Sequence, residues 1–310
     1  MPKVTVIGAG NVGSNTARNV AEQDLADQVV MIDVVEGLPQ GLALDLNHSA
    51  SVKGFDARLV GTNDYEDTAG SDVAVITAGR ARQPGMSRMD LLEANAEIME
   101  SVVSAFVEHS PDAIIVVVSN PLDEMTYLAS LVSGFPKERV MGMAGVLDSS
   151  RLRFFIAEKL GVPPTKVEAI TLGSHGDQMV ALPRHAKVEG KPLPDLVDGA
   201  TLEELFERTK NAGAEIVEYL KKGSAYYAPS ASAAAMVNAI LSDTGEILPA
   251  CAWTSGEYGI SDVYLGVPAR LGKGGVTEIV ELDLNDEEKK RLEEAAEAIR
   301  AKCEELSSRR

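Results

Sequence analysis

The chain has 310 residues, of which 45% are hydrophobic, so it can form one large domain or two linked domains with a substantial core. Its 47 acidic and 29 basic residues give a net charge of −18, which argues against nucleic acid and anionic membrane surfaces as partners because both would be repelled. The acidity itself has two interpretations, an ordinary acidic surface or a strongly hydrated surface suited to a high-salt interior.

The two cysteines, Cys251 and Cys303, are too few and too far apart in sequence to indicate a disulfide framework or a metal cluster. We therefore expect free thiols and no bound metal. The N-terminus enters an apolar run without a basic-then-apolar leader, and no apolar run approaches the length that spans a bilayer. These features predict a cytoplasmic protein whose mature chain begins as written.

The first half of the chain alternates between short apolar runs and helical stretches. The runs at 4–7 and 29–32 predict two strands around a helix that begins at Val12, and the runs at 73–78 and 114–118 predict two more strands around a helix at 89–109. Short β-branched runs are typical of parallel strands that are buried on both faces. The pattern therefore predicts an α/β fold with a Rossmann-type doubly wound parallel sheet.

The pattern changes after residue 140. A helix at 148–160, a strand at 167–172 and mixed elements up to residue 271 predict an α+β arrangement. The last helix opens at Asn285, with Glu288 three residues later as a capping partner, and ends near residue 305. We accordingly expect a nucleotide-binding Rossmann domain at 1–142 and a catalytic, substrate-binding domain at 143–310.

A glycine-rich turn lies between the first predicted strand and the first helix. Its glycines permit a tight turn, close approach of a pyrophosphate and helix–strand packing, while the helix N-terminus offers free N–H groups. Asp33 follows at the end of the second strand, ~20 residues on, where it can accept hydrogen bonds from ribose hydroxyls and oppose a 2′-phosphate. This context favours NAD over NADP, with a glycine turn in an unrelated α/β protein as the alternative. The predicted contacts of the turn are Gly8, Ala9, Gly10, Asn11, Val12 and Gly13.

Two loops follow strand ends, where ligands bind in open α/β sheets. Arg80, Arg82 and Arg88 lie in a Gly- and Pro-containing stretch, which predicts a cationic lid over an anionic substrate. A solvated charged loop is the alternative for this stretch. Ser119 and Asn120 follow another strand end, where the amide can point into the same crevice or belong to a simple turn.

His175 stands in Gly-Ser-His-Gly-Asp, where neighbouring glycines let the backbone turn sharply and leave the imidazole facing a ligand. Asp148 can fix the tautomer of this imidazole, and Arg151, three residues after Asp148, can hold an anionic substrate. A lone histidine is most often a surface or core residue, and we interpret the other three histidines in that way.

These motifs, in this order and at this approximate spacing, resemble the lactate/malate dehydrogenase family over essentially the whole chain. The resemblance implies that His175 donates a proton when a 2-oxo acid is reduced and accepts it in the reverse reaction, with Asp148 orienting the imidazole. It also implies that Arg151 grips the C1 carboxylate of the substrate, that Arg88 polarises the ketone oxygen, and that Asn120 donates a hydrogen bond to that oxygen.

The resemblance implies a dicarboxylate pair, malate and oxaloacetate, because Arg82 stands where lactate-selective relatives usually have glutamine. Those relatives usually have threonine in the segment where this chain has Ser224 and Ala225, which leaves room for a bulkier substrate. Further implied features are a homodimer or homotetramer and contacts to the cofactor ribose and nicotinamide from Asn95, Val118, Ser119 and Asn120. The alternatives are a dehydrogenase of lactate or another 2-hydroxy acid and a catalytically silent nucleotide-binding protein.

Overall fold

The computed structural model describes residues 2–80 and 88–308, and at residue 88 the backbone only. Its first half contains six strands and four α-helices. The strands are β1 (Lys3–Ile7), β2 (Gln28–Ile32), β3 (Arg58–Thr62), β4 (Val73–Ile76), β5 (Ile114–Val117) and β6 (Val140–Gly142). The helices are α1 (Asn11–Glu22), α2 (Leu38–Lys53), α3 (Arg88–His109) and α4 (Leu122–Ser133).

The six strands are parallel and lie in the order β3-β2-β1-β4-β5-β6. All residues of β4 and β5 are buried, as expected for strands covered by helices on both faces. The strand order reverses between β1 and β4, and a crevice opens beyond the carboxyl ends of strands at such a reversal. The predicted doubly wound parallel sheet is confirmed.

The second half contains four α-helices and eight strands within the described residues. The helices are α5 (Gly145–Leu160), α6 (Gly199–Leu220), α7 (Tyr227–Leu241) and α8 (Asp286–Ser308). The strands are β7 (Val167–Glu168), β8 (Thr171–Gly173), β9 (Met179–Ala181), β10 (Lys187–Val188), β11 (Lys191–Pro192), β12 (Ile247–Ser255), β13 (Ser261–Gly272) and β14 (Gly275–Ile279). Short 3-10 helices lie at Tyr65–Thr68, Lys137–Arg139, Pro164–Lys166, Pro183–His185, Leu193–Asp195 and Glu257–Gly259.

The parallel sheet continues into this second half. β12 pairs antiparallel with β6 through Cys251 and Gly142, and β13, β8 and β9 follow in antiparallel order, with β14 on β13. The result is one sheet of eleven strands, beside a small sheet in the order β11-β10-β7. Residues 167–172, predicted as one strand, are divided: β7 pairs with β10 in the small sheet and β8 pairs with β9 and β13 in the large one.

Mainly aliphatic side chains fill the space on the two faces of the large sheet. Along β4, Val73 and Val75 pack on one face, and Ala74 and Ile76 pack on the other. This alternation follows from the two-residue side-chain period of a strand. A third, smaller cluster packs between α5, α6 and the small sheet. The cores on both sides of the sheet hold the strand ends in place, and the loops after those ends form the candidate site.

Helix α8 begins at the predicted capping pair. Glu288 N donates to Asn285 Oδ1 at 2.8 Å, and Asn285 N donates to Glu288 Oε2 at 2.8 Å, so each residue satisfies one free backbone donor of the other. Arg184 Nη2 also donates to Glu288 Oε2 at 3.0 Å, which anchors the start of α8 to the loop after β9. Among the described helices, none combines the length and apolar character that crossing a membrane requires.

Candidate active site

The glycine-rich turn brings the ends of β1 and β4 into close contact. Gly8 has φ +100°, which favours glycine, and a Cβ there would lie 2.8 Å from the backbone nitrogen of Ala78. A Cβ at Gly13 would overlap the carbonyl oxygen of Gly8, so α1 also packs tightly on the turn. By contrast, a Cβ at Gly10 would meet open space, and no side chain caps the N-terminus of α1. The N–H groups at this helix end therefore face a space that suits a pyrophosphate.

Asp33, directly after β2, is bound to the same turn. Its Oδ2 accepts from Ala9 N at 2.7 Å and its Oδ1 accepts from Val35 N at 2.9 Å. These two bonds hold the carboxylate beside the glycine-rich turn, where adenosine hydroxyls can reach its remaining lone pairs. The arrangement of the turn and Asp33 fits an NAD molecule. Asn11, one of the predicted contacts of the turn, is the exposed first residue of α1.

Buried side chains connect the loops that follow β4 and β5. Asn95 on α3 donates through Nδ2 to Asn120 O at 2.6 Å and accepts at Oδ1 from Arg80 N at 2.7 Å. Ser119 Oγ donates to Ala78 O at 2.5 Å. Asn95 and Ser119 are 3% and 6% exposed, and their side chains form hydrogen bonds with backbone groups of the two loops. The two residues therefore support these loops. Their predicted contacts with the cofactor stay predictions.

His175 and Asp148 form the central pair of the site. His175 lies in the loop after β8, and its Nδ1 lies 2.8 Å from Asp148 Oδ2 on α5. The Asp148 side chain is 7% exposed and the His175 side chain 20% exposed, so the carboxylate lies behind the imidazole and one edge of the ring stays open. With Nδ1 engaged, the free ring nitrogen is Nε2, which is the atom that can exchange a proton with a ligand.

The pKa of His175 reflects opposing effects. Burial disfavours the imidazolium and acts to lower the pKa, but the charge and hydrogen bond of Asp148 outweigh it, helped by the charge of Asp123 and opposed by Arg151. The net result is a pKa above the ordinary value of 6.5. A histidine with such a pKa keeps a proton available near neutral pH.

Arg151 lies one turn after Asp148 on α5. Its Nη1 donates to Asp148 Oδ1 at 3.4 Å, while its Nε is buried without a hydrogen-bond partner among the described residues. Burial lowers the pKa of this guanidinium, and the charge of Asp148 opposes that effect. A guanidinium that is enclosed and has donors to spare can bind a carboxylate through two parallel hydrogen bonds.

A cavity of about 340 Å³ joins these residues. It is bordered by α1, α5, α6, the loop before α4 and the loop that carries His175. The sequence-predicted residues on its wall are Val12, Val118, Asn120, Asp148, Arg151 and His175. Its other lining residues are Leu122, Met143, Leu147, Gly176, Met179, Lys210, Gly213, Val217, Ser224, Ala225 and Pro229.

Lys210 is a cation on the cavity wall that sequence reasoning missed. Its Nζ donates to Glu207 Oε1 at 2.8 Å, and the side chain is 28% exposed. Nothing in the pattern of α6 distinguishes Lys210 from other surface lysines, because its place at the cavity depends on how α6 packs against α5. Arg82 lies outside the described residues, and so does the side chain of Arg88, although its backbone begins α3. The predicted lid therefore stays a prediction.

The fold and site together define the class of protein. A dinucleotide-binding sheet with a carboxylate at the end of β2 faces a cavity that holds an imidazole, its orienting carboxylate and a buried guanidinium. This is the arrangement of an NAD-binding oxidoreductase that acts on an anionic CH–OH substrate.

Comparison with known proteins specifies the family. Residues 2–142 match the family model of the lactate/malate dehydrogenase NAD binding domain, and residues 145–309 match that of the lactate/malate dehydrogenase alpha/beta C-terminal domain. The chain belongs to the lactate/malate dehydrogenase family.

Two curated relatives match this chain over almost its entire length. The malate dehydrogenase of Salinibacter ruber is 55% identical over 304 residues, which cover 98% of this chain and 96% of the relative. A malate dehydrogenase of Dehalococcoides mccartyi is 53% identical over 307 residues, which cover 99% of this chain and 100% of the relative.

Solved structures show the same fold. The Salinibacter ruber malate dehydrogenase structure has a TM-score of 0.95 at 53% identity and covers 99% of this chain and 98% of its own. A lactate dehydrogenase of Cryptosporidium parvum, complexed with lactic acid and β-nicotinamide adenine dinucleotide, has a TM-score of 0.95 at 41% identity, covering 99% of this chain and 98% of its own. The backbone alone therefore does not separate the two substrate classes.

Proposed function

We propose that this chain is an NAD-dependent malate dehydrogenase in which His175 is the proton donor and acceptor. The observation that carries the proposal is the convergence of His175, Asp148 and Arg151 on one cavity beside Asn120. The 50–55% identity to full-length malate dehydrogenases supports malate and oxaloacetate as the substrate pair.

The chemistry divides between the cofactor and the chain. Bound NAD(H) accepts or supplies the hydride at the C2 atom of the substrate. In the reductive direction, His175 Nε2 donates the proton that the developing alkoxide needs, and Asp148 stabilises the imidazolium before the transfer. In the oxidative direction, neutral His175 takes the hydroxyl proton, so the two directions require opposite protonation states of the same ring.

The remaining polar groups bind and orient the substrate. Arg151 is proposed to bind the C1 carboxylate, and its enclosed donors beside the cavity support this role. Asn120 lies on the same wall, and its backbone is held by Asn95, so its amide can donate to the substrate oxygen at a fixed position. Arg88 is proposed to polarise that oxygen where charge develops, and closure of the lid would exclude water.

The decisive experiment measures NADH oxidation with oxaloacetate and pyruvate side by side. We expect turnover when NADH and oxaloacetate are both present, and a kcat/KM for pyruvate much lower than that for oxaloacetate. His175→Asn should nearly abolish turnover while NADH affinity changes little, and Asp148→Asn should cost less, though still roughly 10²- to 10⁴-fold. Near-normal turnover in pure His175→Asn would contradict the assigned role, and a preference for pyruvate would favour the alternative, a lactate or other 2-hydroxy acid dehydrogenase.

Substrate choice rests on Arg82 in this proposal. Oxaloacetate has one carboxylate more than pyruvate, so a site that selects it needs a cation at the far end of the cavity. Removing one partner of a carboxylate–guanidinium pair in a closed site costs about 2 to 5 kcal/mol. Arg82→Gln should therefore sharply lower kcat/KM on oxaloacetate and modestly raise activity on pyruvate.

Arg80→Gln is the matched control, because Arg80 lies two residues earlier in the same stretch and should matter far less. The ratio of kcat/KM for oxaloacetate to that for pyruvate is the measurement. If Arg80→Gln collapses the ratio and Arg82→Gln leaves it unchanged, the selecting cation is Arg80. If neither changes it, selectivity lies elsewhere on the cavity wall.

The proposal includes a division of the chain, an assembly and a location. The family-model boundaries at 142 and 145 support a Rossmann domain at 1–142 and a catalytic domain at 143–310. Leu44 and Val52 on α2 are 58% and 84% exposed and lie eight residues apart on one helix face, which supports contact with a second copy in a homodimer or homotetramer. Buried free cysteines support a cytoplasmic location. Light scattering of the purified protein tests the assembly.

A further inference from the structure

His175 is contacted by two carboxylates, one from each half of the chain. Asp148 on α5 binds the ring, and Asp123 on α4 binds the backbone: Asp123 Oδ2 accepts from His175 N at 3.1 Å. Asp123 and His175 are 52 positions apart in sequence. Asp123 follows β5 in the nucleotide-binding half, whereas His175 follows β8 in the other half. The contact therefore links the two halves at the reacting side chain.

Asp123 is more deeply buried than an acidic residue has to be in order to stabilise the first turn of a helix. It is 4% exposed, and among residues 2–80 and 88–308 its buried Oδ1 has no nitrogen or oxygen donor, with only the weakly donating thiol of Cys251 close to the carboxyl. An acid can favour a helix N-terminus from the surface, so that interaction alone does not explain a buried carboxylate. Within the part of the chain that the structure describes, its one backbone donor outside α4 is the amide of His175.

The loop that carries His175 turns at two glycines. Gly173 has φ +84° and Gly176 has φ +135°, conformations that favour glycine. Inside the loop, Ser174 N donates to Gln178 O at 3.4 Å, and Met179 N donates to Gly176 O at 3.1 Å. From outside the loop, Asp148 binds the ring of His175, and Asp123 adds an anchor on the backbone of the same residue.

Asp123 is also connected to the substrate-binding side of the cavity. It lies three residues after Asn120, at the start of α4, and Leu122 between them lines the same cavity. A shift of Asp123 would move both Asn120 and the His175 loop, whereas a fixed Asp123 keeps their separation constant. Reacting groups must be held in register, because a misplacement of ~1 Å can cost ~10²-fold in rate.

We propose that Asp123 is a positioning residue for the catalytic histidine: it anchors the backbone of His175 to the Asn120 turn and places a second negative charge at the residue that carries the imidazole. The inference rests on the proposed function, since it assumes that the proton of His175 is the one transferred.

The charged surroundings determine what the second charge does. Burial first, and then the charge of Glu124, raise the pKa of Asp123 to about 6, while His175 and Cys251 act to lower it. Above that pH the carboxylate is ionised and favours the imidazolium. Cys303 and Lys302 on α8 are the other titratable groups close by, and Lys302 Nζ pairs with Glu124 Oε1 at 3.0 Å.

Two other charged groups act on the pKa of His175, and a third lies on the wall of the same cavity. Asp148 raises its pKa, Arg151 acts to lower it, and Lys210 of α6 lies on the same cavity wall. None of these groups changes when Asp123 is replaced. A change in the titration of His175 in an Asp123 variant therefore reports on Asp123.

Asp123→Asn is the informative variant, because the amide oxygen can still accept from His175 N while the charge is lost. We expect the fall in kcat/KM for oxaloacetate at alkaline pH, at saturating NADH, to begin at lower pH than in the unmodified enzyme. At the alkaline end the rate should be roughly three- to tenfold lower than wild type, with a smaller change on the acid side. Asp123→Ala removes the anchor as well, and kcat should fall roughly ten- to a hundredfold with little change in NADH affinity.

Glu124→Gln is the matched control. Glu124 is 2% exposed and adjacent in α4, but it pairs with Lys302 and makes no hydrogen bond to His175. It should keep the wild-type kcat and the wild-type alkaline limb of the pH profile, because Asp123 is already ionised there; loss of the Glu124 charge lowers the pKa of Asp123 and so acts only on the acid side. Superimposable profiles for Asp123→Asn and wild type would overturn the charge effect, and wild-type kcat in a folded Asp123→Ala variant would overturn the anchor. Equal shifts in Glu124→Gln and Asp123→Asn would also overturn the proposal.

A titration that needs no turnover separates this inference from the proposed function. The imidazole resonance of His175 in the NADH complex, assigned by its loss in His175→Asn, should titrate at lower pH in Asp123→Asn than in wild type. An enzyme inactive on oxaloacetate and every other 2-oxo acid would contradict the proposed function even if this shift is seen. Turnover on oxaloacetate with an unshifted His175 resonance would contradict the inference alone.

Discussion

Asp33 shows how much one side chain decides at the cofactor site. Its carboxylate is held by Ala9 N and Val35 N, so its charge lies beside the glycine-rich turn and cannot rotate away without breaking two hydrogen bonds. A 2′-phosphate on the ribose would place like charges next to each other, which costs several kcal/mol. We therefore expect the charge of Asp33 to oppose the binding of NADP(H).

We expect the unmodified enzyme to prefer NADH over NADPH by at least about tenfold in kcat/KM, and Asp33→Ser to erode this preference. Asp33→Asn is the control for geometry, since it keeps an acceptor and loses only the charge. Steady-state rates with both cofactors are the measurement. Equal efficiency with NADH and NADPH in the unmodified protein would contradict the role of Asp33.

The imidazolium of His175 also makes stability depend on pH. Its pKa in the folded state is raised above the ordinary value of 6.5, because Asp148 and Asp123 outweigh the effect of burial. A raised folded-state pKa stabilises the fold fully below the unfolded-state pKa, and this stabilisation is lost as the pH rises through the folded-state value. Asp123 acts in the same direction at lower pH, between 3.8 and about 6.

We therefore expect the thermal midpoint of the cofactor-free enzyme to fall as the pH is raised above 6.5 and through the titration of His175. His175→Asn should flatten this part of the curve. Calorimetry over the pH series checks both expectations. An unchanged slope in His175→Asn would show that another group dominates the pH dependence.

At the scale of whole elements, α8 connects the C-terminal sequence to the site. It packs against β13, β8, β9 and α4, and β8 leads directly into the His175 loop. Its first turn is held by the reciprocal bonds of Asn285 and Glu288, with Arg184 on the same carboxylate. The cap thus fixes the start of α8 next to the segment that follows β9.

Loss of this cap should have a measurable cost. Replacing a capping residue by alanine typically costs ~1 kcal/mol, so Asn285→Ala should lower the free energy of unfolding by about that amount and the thermal midpoint by a few degrees. Glu294→Gln is the control, because its ion pair with Lys290 Nζ at 3.7 Å is 52% exposed on the Glu294 side and should contribute little. Equal losses in both variants would contradict a specific contribution of the cap.

At the scale of the whole molecule, the net charge of −18 is the feature that links stability to salt concentration. At 0.01 M salt, the repulsion between surface carboxylates is screened only at separations beyond about 30 Å. At 1 M salt, it is already screened at separations beyond about 3 Å. A surface adapted to high salt would therefore be destabilised at low ionic strength.

If the acidity is such an adaptation, the thermal midpoint should rise steeply over the first molar of potassium chloride. Sucrose is the control, because it stabilises folded proteins by exclusion without screening charge. A flat response to potassium chloride would favour the interpretation as ordinary acidity. The enzymatic assignment is independent of either result.

The sequence by itself determined the features that depend on neighbouring residues. Contiguous apolar runs predict buried strands such as β4 and β5, because a strand covered on both faces needs no polar alternation. The glycine-rich turn, Asp33 and the Asn285 cap are recognisable because their partners lie in the same or the next element. Two helices of the first half were missed: α2 has a weak apolar periodicity, and α4 begins immediately after a segment that resembles a turn. In the second half, α6 lies in a stretch predicted only as mixed elements.

The tertiary structure decided which distant side chains meet. Asp123 reaches His175 across 52 residues, Asn95 bonds to Arg80 and Asn120, and Lys210 borders the cavity because α6 packs on α5. The joining of β6 to β12, and with it the single large sheet, is also a long-range pairing. The physical reason is that side-chain periodicity specifies which face of an element is buried, whereas the partner on that face is chosen by the packing of the whole chain.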